Sequence, residues 1–519
     1  MADDPFYDGA VRTMGGSWHA FLTGAIDPSA TVAIDKPPGF LWLQVAATKV
    51  VGFGSVGLHL PAAIAGCVAV VALYDALRTL FGRPAALAGA LALAVLPVAV
   101  ITARSDTMDT AIAALDLVAL ALVARAVRGQ RPWLLLAAGL AVGSTFDVKP
   151  FEGLVAVPGL ALMAWLGLRH RRAPALAGGG VVLVAAALAW LVAWSLFGGA
   201  HAPWAYGSAN GSAWNAAFVY DGISRLQGGA PHATSAASLA RVPAAPGPLR
   251  LFSSQDGLAL RVGLELAAAL VVAVLVLLRR TTGDRAARAG WWGLLAWLLT
   301  GVVLASAQAG LRPRYLEAVD PAIAAVLGTG AVLAARRWVL AGAGLVLLAA
   351  LTISIAAVSG RVEDSGTPGA LPAARLEALG PWLVGRHGAV ATSAVARGAQ
   401  LVASGDRGVV FLAAGRHALV GPRALARDVA DGRVRAGLLG GACGATGRGC
   451  TRAEAWIRAH GTDVSRAVGQ PARGVAFDLS AGTTSGSRTS SASTRSRAVR
   501  SPARPRPASR GGRLRHGRG

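Results

Sequence analysis

The stretch "PVAVITARSDTMDTAIAALDLVALAL", residues 97–122, joins two apolar runs through a turn that carries Arg104, Asp106 and Asp109. Extended in both directions, each run reaches about 20 residues, the length of helix that crosses the hydrocarbon core of a bilayer. Further apolar runs of this kind occur along the chain. Together they lie at about 56–77, 85–103, 108–127, 133–146, 153–169, 174–197, 258–279, 290–309, 315–335 and 338–357, and the fourth of them is short.

The composition agrees with a bundle of membrane helices. Of the 519 residues, 54% are hydrophobic and only 15% are charged, and the mean hydropathy is +0.52. Soluble domains carry about 25% charged residues. The sequence therefore predicts a mainly α-helical, polytopic membrane protein with about ten transmembrane helices.

The loops between the runs differ in charge, and this difference predicts the topology. Short loops rich in Lys and Arg stay in the cytoplasm; they lie at 78–83, 125–131, 169–172, 279–288 and 336–337. The other loops are then expected outside, at 1–55, 104–109, 147–152, 198–257 and 311–315, together with everything after 358. This topology leaves the N-terminus outside with no preceding helix. We therefore expect a first transmembrane helix to be missing, with translocation of the N-terminal tail by the first run as the alternative.

The sequence divides into four predicted regions. Residues 1–55 form a first extracytoplasmic loop, and residues 56–358 form the transmembrane bundle with its long outer loop 198–257. In residues 359–480, strand-like segments alternate with helix-like ones, which predicts a small extracytoplasmic α/β domain. Residues 481–519 are rich in Ser and Arg and are expected to be disordered.

The positive charge and the cysteines carry little functional information. Ten of the arginines behind the net charge of +24 lie in residues 481–519, and most of the others report topology, so no nucleic-acid partner is expected. Cys443 and Cys450 could form a small disulfide loop outside the cell, or could remain two reduced thiols.

Acidic and basic residues gather in the loops that are predicted to lie outside. Lys36 and Lys149 are two of only three lysines among 50 basic residues, and a proline follows each of them. A lysine is a compact charge suited to a phosphate oxygen. Either lysine alone is more typical of a cation that snorkels at the membrane surface, but the nearby acids favour a functional role for both. Asp116 lies deep in an apolar run, where we expect a structural hydrogen bond. Glu317 and Asp320 could pair with Arg314 across a helical turn.

Several motifs, in this order, resemble a known family. They are "DDPFYDGAVRTM" (3–14), "TVAIDKPPGFLW" (31–42), the stretch quoted first, "FDVKPFEG" (146–153) and "RPRYLEAVDPAIAAVLG" (312–328). The set is similar to the bacterial branch of the protein O-mannosyltransferase superfamily, which includes the aminoarabinose transferases that modify lipid A. These proteins are GT-C glycosyltransferases that use a polyprenyl-phosphate sugar donor. The resemblance covers residues 1 to about 335 and continues into an extracytoplasmic α/β domain.

The resemblance implies roles for individual residues. Asp4 matches the position of the catalytic base in the first outer loop, with Asp3 and Asp35 as the other candidates. The donor phosphate would be held by Lys36 and Lys149, with contributions from Arg104 and Arg314. Supporting roles fall to Asp106, Asp109, Tyr7 and Glu317.

Together, the residues and the resemblance predict an inverting glycosyltransferase at the outer face of the cytoplasmic membrane. It would move a sugar from a polyprenyl-phosphate donor to a hydroxyl of a lipid, a glycan or a protein. A divalent metal is possible, but no ligand spacing points to one. A polytopic transporter or lipid flippase is the alternative; such proteins tend to carry ionisable groups near the membrane midplane. A non-catalytic scaffold that binds cell-wall material is the third hypothesis.

Overall fold

The computed structural model describes residues 4–199, 202–224, 227, 245–279, 283–362, 370–385, 387–405, 408–415 and 417–480. Asp3 and the tail 481–519, which we expected to be disordered, lie outside these residues. The described residues form a helical bundle, a polar layer of short helices at one end of it, and an α/β region that packs on this layer.

The polar layer begins with helices α1 (Pro5–Met14) and α2 (Trp18–Thr23) and strand β1 (Val32–Ala33). Pro5 suits the first turn of α1, where a backbone N–H has no partner in the helix. The prolines Pro37 and Pro38 keep the next segment out of a helix until α3 begins at Gly39. The acidic and lysine-bearing motifs therefore lie on an irregular segment between two helices.

The bundle follows in chain order. Its helices are α3 (Gly39–Val51), α4 (Ser55–Phe81), α5 (Arg83–Val95), α6 (Pro97–Arg104), α7 (Asp109–Gly129), α8 (Leu134–Phe146), α9 (Val157–Gly167), α10 (Arg172–Phe197), α11 (Ala213–Asn215), α12 (Leu264–Arg279), α13 (Arg285–Ala307), α14 (Asp320–Ala334) and α15 (Arg337–Ser359). Strand β2 (Trp204–Ala205) precedes α11 and pairs in parallel with β1. A π-helix, Ala216–Ile223, continues α11, and a second one, Ala259–Gly263, leads into α12.

The spans confirm a multi-pass membrane protein but differ in detail from the ten predicted runs. In the described residues, six helices are long and apolar enough to cross a membrane; they are Ser55–Phe81, Asp109–Gly129, Arg172–Phe197, Ala259–Arg279, Arg285–Ala307 and Arg337–Ser359. The predicted run 85–103 is instead two helices bent by 60°, because Pro97 starts a new helix after Leu96. The runs 133–146, 153–169 and 315–335 contain apolar helices shorter than 18 residues. In the last of these, residues 313–318 form a 3-10 helix before Asp320 and Pro321 start α14.

Small residues bring the bundle helices into close contact. At Gly328 a Cβ atom would lie 2.4 Å from the backbone nitrogen of Gly89, and at Gly159 it would lie 2.5 Å from the carbonyl oxygen of Gly293. In a membrane, helices associate through such packing, because lipid tails are as apolar as the side chains. These glycines fix the helices that carry the polar end of the bundle.

The C-terminal described residues form the predicted α/β fold. The sheet has the order β4-β3-β7-β9-β8, and the first three of these strands are parallel. The strands are β3 (Ala389–Thr392), β4 (Val409–Phe411), β7 (Val434–Leu438), β8 (Thr462–Asp463) and β9 (Ala476–Asp478), with the hairpin β5 (Ala413–Ala414) and β6 (His417–Ala418) beside them. The helices are α16 (Ala373–Val384), α17 (Val395–Ala403), α18 (Pro422–Ala430), α19 (Gly441–Thr446) and α20 (Arg452–His460). Of the two alternatives for Cys443 and Cys450, the structure forms the disulfide.

Helix α1 packs directly on α17 of this α/β fold. A Cβ atom at Gly9 would lie 2.5 Å from the carbonyl oxygen of Ala399, so only glycine fits this contact. The buried side chains Phe6, Val395 and Leu438 belong to one hydrophobic cluster that joins the two regions. The first loop and the α/β fold therefore share a core.

Candidate functional site

Asp4 and Tyr7 lie at the start of α1, inside the layer between the bundle and the α/β fold. Asp4 is the N-cap residue, but its carboxylate makes no side-chain capping bond to the helix. Both side chains are buried. Burial then raises the pKa of Tyr7 well above its usual value, and the nearby carboxylates of Asp35 and Asp4 raise it further. The Tyr7 phenol therefore stays protonated and can donate a hydrogen bond.

The Asp35-Lys36 pair reaches Tyr7 from the segment after β1. Lys36 Nζ donates to Tyr7 Oη at 2.6 Å, and Tyr7 Oη donates to Asp35 Oδ1 at 3.1 Å. Lys36 Nζ also lies 3.4 Å from Asp35 Oδ2. The ammonium is thus held in a buried position by a carboxylate and a phenol, which offset the cost of burying its charge.

The second lysine, Lys149, has its own anionic partners. Its Nζ lies 2.7 Å from Asp109 Oδ1 and 2.6 Å from Glu152 Oε2. It also lies 3.9 Å from the centre of the Tyr315 ring, a cation–π distance. Burial opposes the charged form, but Asp109 and Glu152 outweigh it and raise the pKa of Lys149.

The loops that carry the two lysines touch each other through their backbones. The Gly39 N–H donates to the carbonyl oxygen of Asp147 at 2.8 Å. A Cβ atom at Gly39 would lie 2.5 Å from that same oxygen, so the contact requires glycine. This contact brings "DKPPG" and "FDVKPF", which are more than 100 residues apart, to one place.

Arg314 links the two groups electrostatically. Burial disfavours its charge, but the carboxylates of Asp109 and Asp4 hold the pKa of Arg314 above its usual value. The Asp109 carboxylate in turn interacts with Lys149, Arg314 and Lys36. The structure therefore brings together Asp4, Tyr7, Asp35, Lys36, Asp109, Lys149 and Arg314, a group that we call the charge cluster.

The other predicted site residues lie beside this cluster. Gln44 Nε2 donates to Asp106 Oδ1, and Thr102 Oγ1 donates to Glu317 Oε2 at 3.0 Å. Arg104 ends α6 with a buried Nη1 that has no hydrogen-bond partner among the described residues. Asp106 and Glu317 thus accept hydrogen bonds from helices α3 and α6, and no contact shown for Arg104 joins it to the cluster.

The structure adds residues that the motif argument did not place in the site. Glu152 and Tyr315 contact Lys149, as described above. Tyr206 packs against Phe6 with ring centres 5.3 Å apart and interacts electrostatically with Asp35. Asp221, in the π-helix 216–223, acts on Tyr7. Glu152 and Tyr315 lie within three residues of Lys149 and Arg314 in the sequence. Tyr206 and Asp221 lie in the predicted outer loop 198–257, where no local pattern identifies them as site residues.

Two further buried carboxyl groups differ from those of the cluster. Asp116 and Glu265 are fully buried. Neither oxygen of either side chain has a hydrogen-bond partner among the described residues. The structural hydrogen bond that we expected for Asp116 is therefore wrong within this part of the chain.

No metal centre is evident in the part of the chain that the structure describes. Within it, no group of three or more His, Cys, Asp or Glu side chains is arranged to hold a metal ion. The cations that face the acids of the cluster are lysine and arginine side chains.

Comparison with known proteins gives a consistent result. Residues 35–194 match the family model described as dolichyl-phosphate-mannose-protein mannosyltransferase. Two Bacillus subtilis (strain 168) proteins, YycA and YkcB, are each named as a candidate mannosyltransferase. The chain is 31% identical to YycA over 43% of its own length and 29% identical to YkcB over 43%. These matches span only about a third of each relative, 33% of YycA and 32% of YkcB.

Solved structures extend the likeness to nearly the whole chain. ArnT from Cupriavidus metallidurans, bound to undecaprenyl phosphate, superimposes with a TM-score of 0.60 at 15% identity, covering 92% of this chain and 94% of ArnT. The oligosaccharyltransferase AglB from Archaeoglobus fulgidus, in complex with an inhibitory peptide and a dolichol-phosphate, gives 0.50 at 15% identity, covering 84% of this chain and 65% of AglB. The predicted GT-C fold, a helical membrane bundle with a small α/β region, is therefore confirmed.

Proposed function

We propose that this GT-C-fold protein is an inverting glycosyltransferase that moves a sugar from a polyprenyl-phosphate donor to a hydroxyl acceptor. The observation that carries the proposal is the charge cluster. A carboxylate suited to accept a proton and three cations suited to hold a phosphate meet at one buried place between the bundle and the α/β fold.

Asp4 is the general base in this proposal. Its carboxylate would take the proton of the acceptor hydroxyl as the oxygen attacks the anomeric carbon from the side opposite the phosphate, which inverts the configuration. The Asp4 carboxylate is buried and lies within electrostatic reach of Arg314 and Tyr7. Asp35 is the other described candidate, but it already accepts from Tyr7 and pairs with Lys36.

Lys36, Lys149 and Arg314 would bind the leaving phosphate. As the bond to the sugar breaks, negative charge grows on the phosphate, and fixed cations in a site with little water stabilise that charge strongly. Without the donor, these cations face Asp35, Asp109 and Glu152. A bound phosphate would interact with the same cations as these carboxylates do. Before the donor binds, the carboxylates keep the lysines charged and in position.

The comparisons support the donor class. The family model that matches residues 35–194 is named for dolichyl-phosphate-mannose. ArnT was solved with undecaprenyl phosphate and AglB with a dolichol-phosphate. A polyprenyl phosphate is thus the ligand that the neighbours of this fold have in common. Whether the sugar is a hexose or a pentose is a matter for the transfer assay.

We place the cluster and the α/β fold on the extracytoplasmic side of the cytoplasmic membrane. The charge of the loops supports this side. The Cys443–Cys450 disulfide does so independently, because disulfides persist in oxidising compartments and are rare in the cytosol. An Ala230→Cys variant in a Cys67→Ala background should react with an impermeant thiol reagent in intact cells. Labelling only after lysis would contradict the proposed side.

A transfer assay tests the activity itself. The protein in lipid nanodiscs would be given undecaprenyl-phosphate-linked mannose, glucose or arabinose with an envelope extract as acceptor. NMR would then report the anomeric configuration of the product. We expect transfer with inversion and no need for a nucleotide sugar. Retention of configuration would contradict the single displacement with Asp4 as base.

A transporter or lipid flippase is the second candidate, and one observation favours it. Asp116 and Glu265 are ionisable, fully buried in the bundle and without a hydrogen-bond partner among the described residues. A carrier would depend on such groups for movement of its substrate or ion. The test compares how well each variant restores the phenotype of cells that lack the protein. If Asp116→Asn fails to restore it while Lys36→Ala restores it fully, the transporter hypothesis replaces the transferase hypothesis.

A further inference from the structure

The turn that follows Lys149 is strained. Phe151 has φ 68° and ψ −30°, a backbone conformation that is rare for a residue with a bulky side chain. The Glu152 N–H donates to the Pro150 carbonyl oxygen at 3.0 Å, which closes a three-residue turn around Phe151. Turns of this kind with a positive φ are uncommon. Such backbone strain persists only where the surrounding structure holds it in place.

Thr145, near the end of α8, holds the chain on both sides of this turn. Its carbonyl oxygen accepts from the Lys149 N–H at 2.9 Å. A Cβ atom at Gly153 would lie 1.9 Å from Thr145 Oγ1, so the chain can return to Thr145 only with glycine at this position. The chain therefore contacts the same residue before and after the turn, and the reversal of its direction falls on Phe151.

Aromatic packing holds the Phe151 ring. The centre of the ring lies 5.4 Å from that of Phe146, the last residue of α8, and 5.7 Å from that of Phe218 in the π-helix Ala216–Ile223. A Cβ atom at Gly222 of this π-helix would lie 2.9 Å from Phe151 Cε2, so the ring fits closely against the helix. Aromatic pairs at these distances attract each other beyond the effect of burial. The bundle and the long outer loop therefore hold the strained residue together.

The strained turn directs the Glu152 carboxylate to Lys149. Glu152 Oε2 lies 2.6 Å from Lys149 Nζ, although the two residues are three apart and no α-helix joins them. The second carboxylate on the same ammonium is that of Asp109, on α7. If the backbone at Phe151 relaxed to a negative φ, the chain would no longer reverse at this point. Lys149 Nζ would then lose one of the two carboxylates that hold it.

We infer that Phe151 is a positioning residue of the proposed transferase. Packed against Phe146 and Phe218, it holds the strained turn that keeps Glu152 on Lys149, and so fixes the ammonium where the leaving phosphate would bind. This inference rests on the proposed function and adds a residue to its site. Phe151 acts here through Glu152 and Lys149 and not by contact with the donor. Because reaction rates depend steeply on the orientation of the groups involved, a side chain in this role affects the rate.

Substitutions of Phe151 in the nanodisc assay test the inference, with undecaprenyl-phosphate-linked mannose, glucose and arabinose as donors. Phe151→Ala removes the ring that holds the turn, and we expect the transfer rate to fall about tenfold. Phe151→Tyr keeps the ring and should restore the rate. Phe252→Ala is the matched control, since Phe252 lies elsewhere in the predicted outer loop and is 38% exposed, close to the 37% of Phe151. Equal rates for Phe151→Ala and Phe252→Ala would overturn the inference.

Glycine separates loss of the ring from loss of the backbone conformation. Glycine adopts a positive φ without strain, so Phe151→Gly removes the ring but permits the turn. We expect Phe151→Gly to transfer sugar faster than Phe151→Ala, in which the strain remains and no ring holds it. Phe218→Ala leaves residue 151 unchanged and should also lower the rate, even if Phe151→Ala folds poorly. The inference would be overturned by a glycine variant no faster than the alanine variant.

A double-mutant cycle shows whether Phe151 acts through Glu152. In a Glu152→Gln background, the carboxylate that the turn directs to Lys149 is absent. Phe151→Ala should then lower the rate further by less than about twofold. A general loss of folded protein would instead lower the rate about tenfold in both backgrounds, and this result would overturn the inference. If Glu152→Gln alone abolishes transfer, the comparison of Phe151→Gly with Phe151→Ala decides.

Lys36→Ala distinguishes failure of the inference from failure of the proposed function. If Lys36→Ala transfers sugar at the wild-type rate, the proposed function is wrong. If Lys36→Ala is inactive while Phe151→Ala is as active as Phe252→Ala, the proposed function stands and only the role of Phe151 is wrong.

Discussion

Asp109 and Asp116 lie two turns apart on helix α7 and illustrate two ways of burying a carboxylate. Asp109 is 2% exposed and pairs with Lys149 at 2.7 Å. Asp116 is 0% exposed, and neither of its oxygens has a hydrogen-bond partner among the described residues. Burying a charge is costly unless it is paired. The polar end of the bundle therefore holds the paired carboxylate of α7, whereas the carboxyl group in the middle of this helix has no hydrogen-bond partner among the described residues. We interpret the first arrangement as a site and the second as a burden on stability.

Removal of a cation from the polar end should have the largest effect. Lys36→Ala deletes the ammonium that Tyr7 and Asp35 position, and we expect sugar transfer to fall by a factor of about 10²–10³ or more. Expression and membrane insertion should be retained. Lys49→Ala is the matched control, since Lys49 is exposed near the end of α3. Equal transfer by the two variants would remove the phosphate role of Lys36.

Neutralising the proposed base should be comparably severe. Asp4→Asn keeps the size of the side chain and the start of α1 but cannot accept the acceptor's proton. We expect transfer to be lost while undecaprenyl phosphate still binds, as measured with radiolabelled carrier. If Asp4→Asn retains transfer, Asp35 becomes the candidate base, with Asp3 and Asp8 as further positions to test.

Breaking the paired charge on α7 should destabilise the fold. Lys149→Met removes the ammonium that pairs directly with the buried Asp109 carboxylate, and loss of one partner of a buried pair costs about 3–5 kcal/mol. A lowered melting temperature in detergent would show this. The double variant Asp109→Asn with Lys149→Met should recover much of the loss. If Lys149→Met melts like the wild type, the pairing contributes little.

A substitution of Asp116, in the middle of the same helix, should not destabilise the fold. Asp116→Leu replaces a carboxyl group that has no described hydrogen-bond partner with an apolar side chain, and we expect a neutral or stabilising effect because burying an unpaired polar group is costly. Transfer activity should be unchanged. A destabilised Asp116→Leu protein, or one without activity, would show that this acid has a partner or a role, and would erase the contrast with Asp109.

Asp147 should make a small contribution to the pH dependence of the folding stability. Burial raises the pKa of Asp147 to about 7, whereas an unfolded aspartate titrates near 3.9. Between about pH 4 and pH 7 the folded protein therefore binds more protons than the unfolded chain, so this group lowers stability as the pH rises through that range. Asp147→Asn should flatten the pH dependence of the melting temperature there. Asp284→Asn is the control, because the pKa of Asp284 is lowered by its hydrogen bond from the Ala287 N–H. It should leave the slope between pH 4 and pH 7 unchanged.

The sequence predicts those parts of the structure that depend on local patterns. Apolar runs mark the spans, and "DKPP" and "DVKP" mark the two lysines of the cluster. The bend at Pro97, the short run that forms α8 and the start of α14 at Asp320 and Pro321 all have local signals in the sequence. Tyr206 could not be predicted as a site residue, because it reaches Phe6 through the pairing of two-residue strands about 170 residues apart. The missing partner of Asp116 likewise depends on which helix faces meet.

The backbone contact between Gly9 and Ala399 sets an order of assembly. Helix α17, on which α1 packs, is synthesised some 390 residues after α1 itself. A nascent chain can therefore insert all its helices and still lack the complete pocket. In the proposed transferase, sugar transfer would begin only when the α/β fold has formed and received α1.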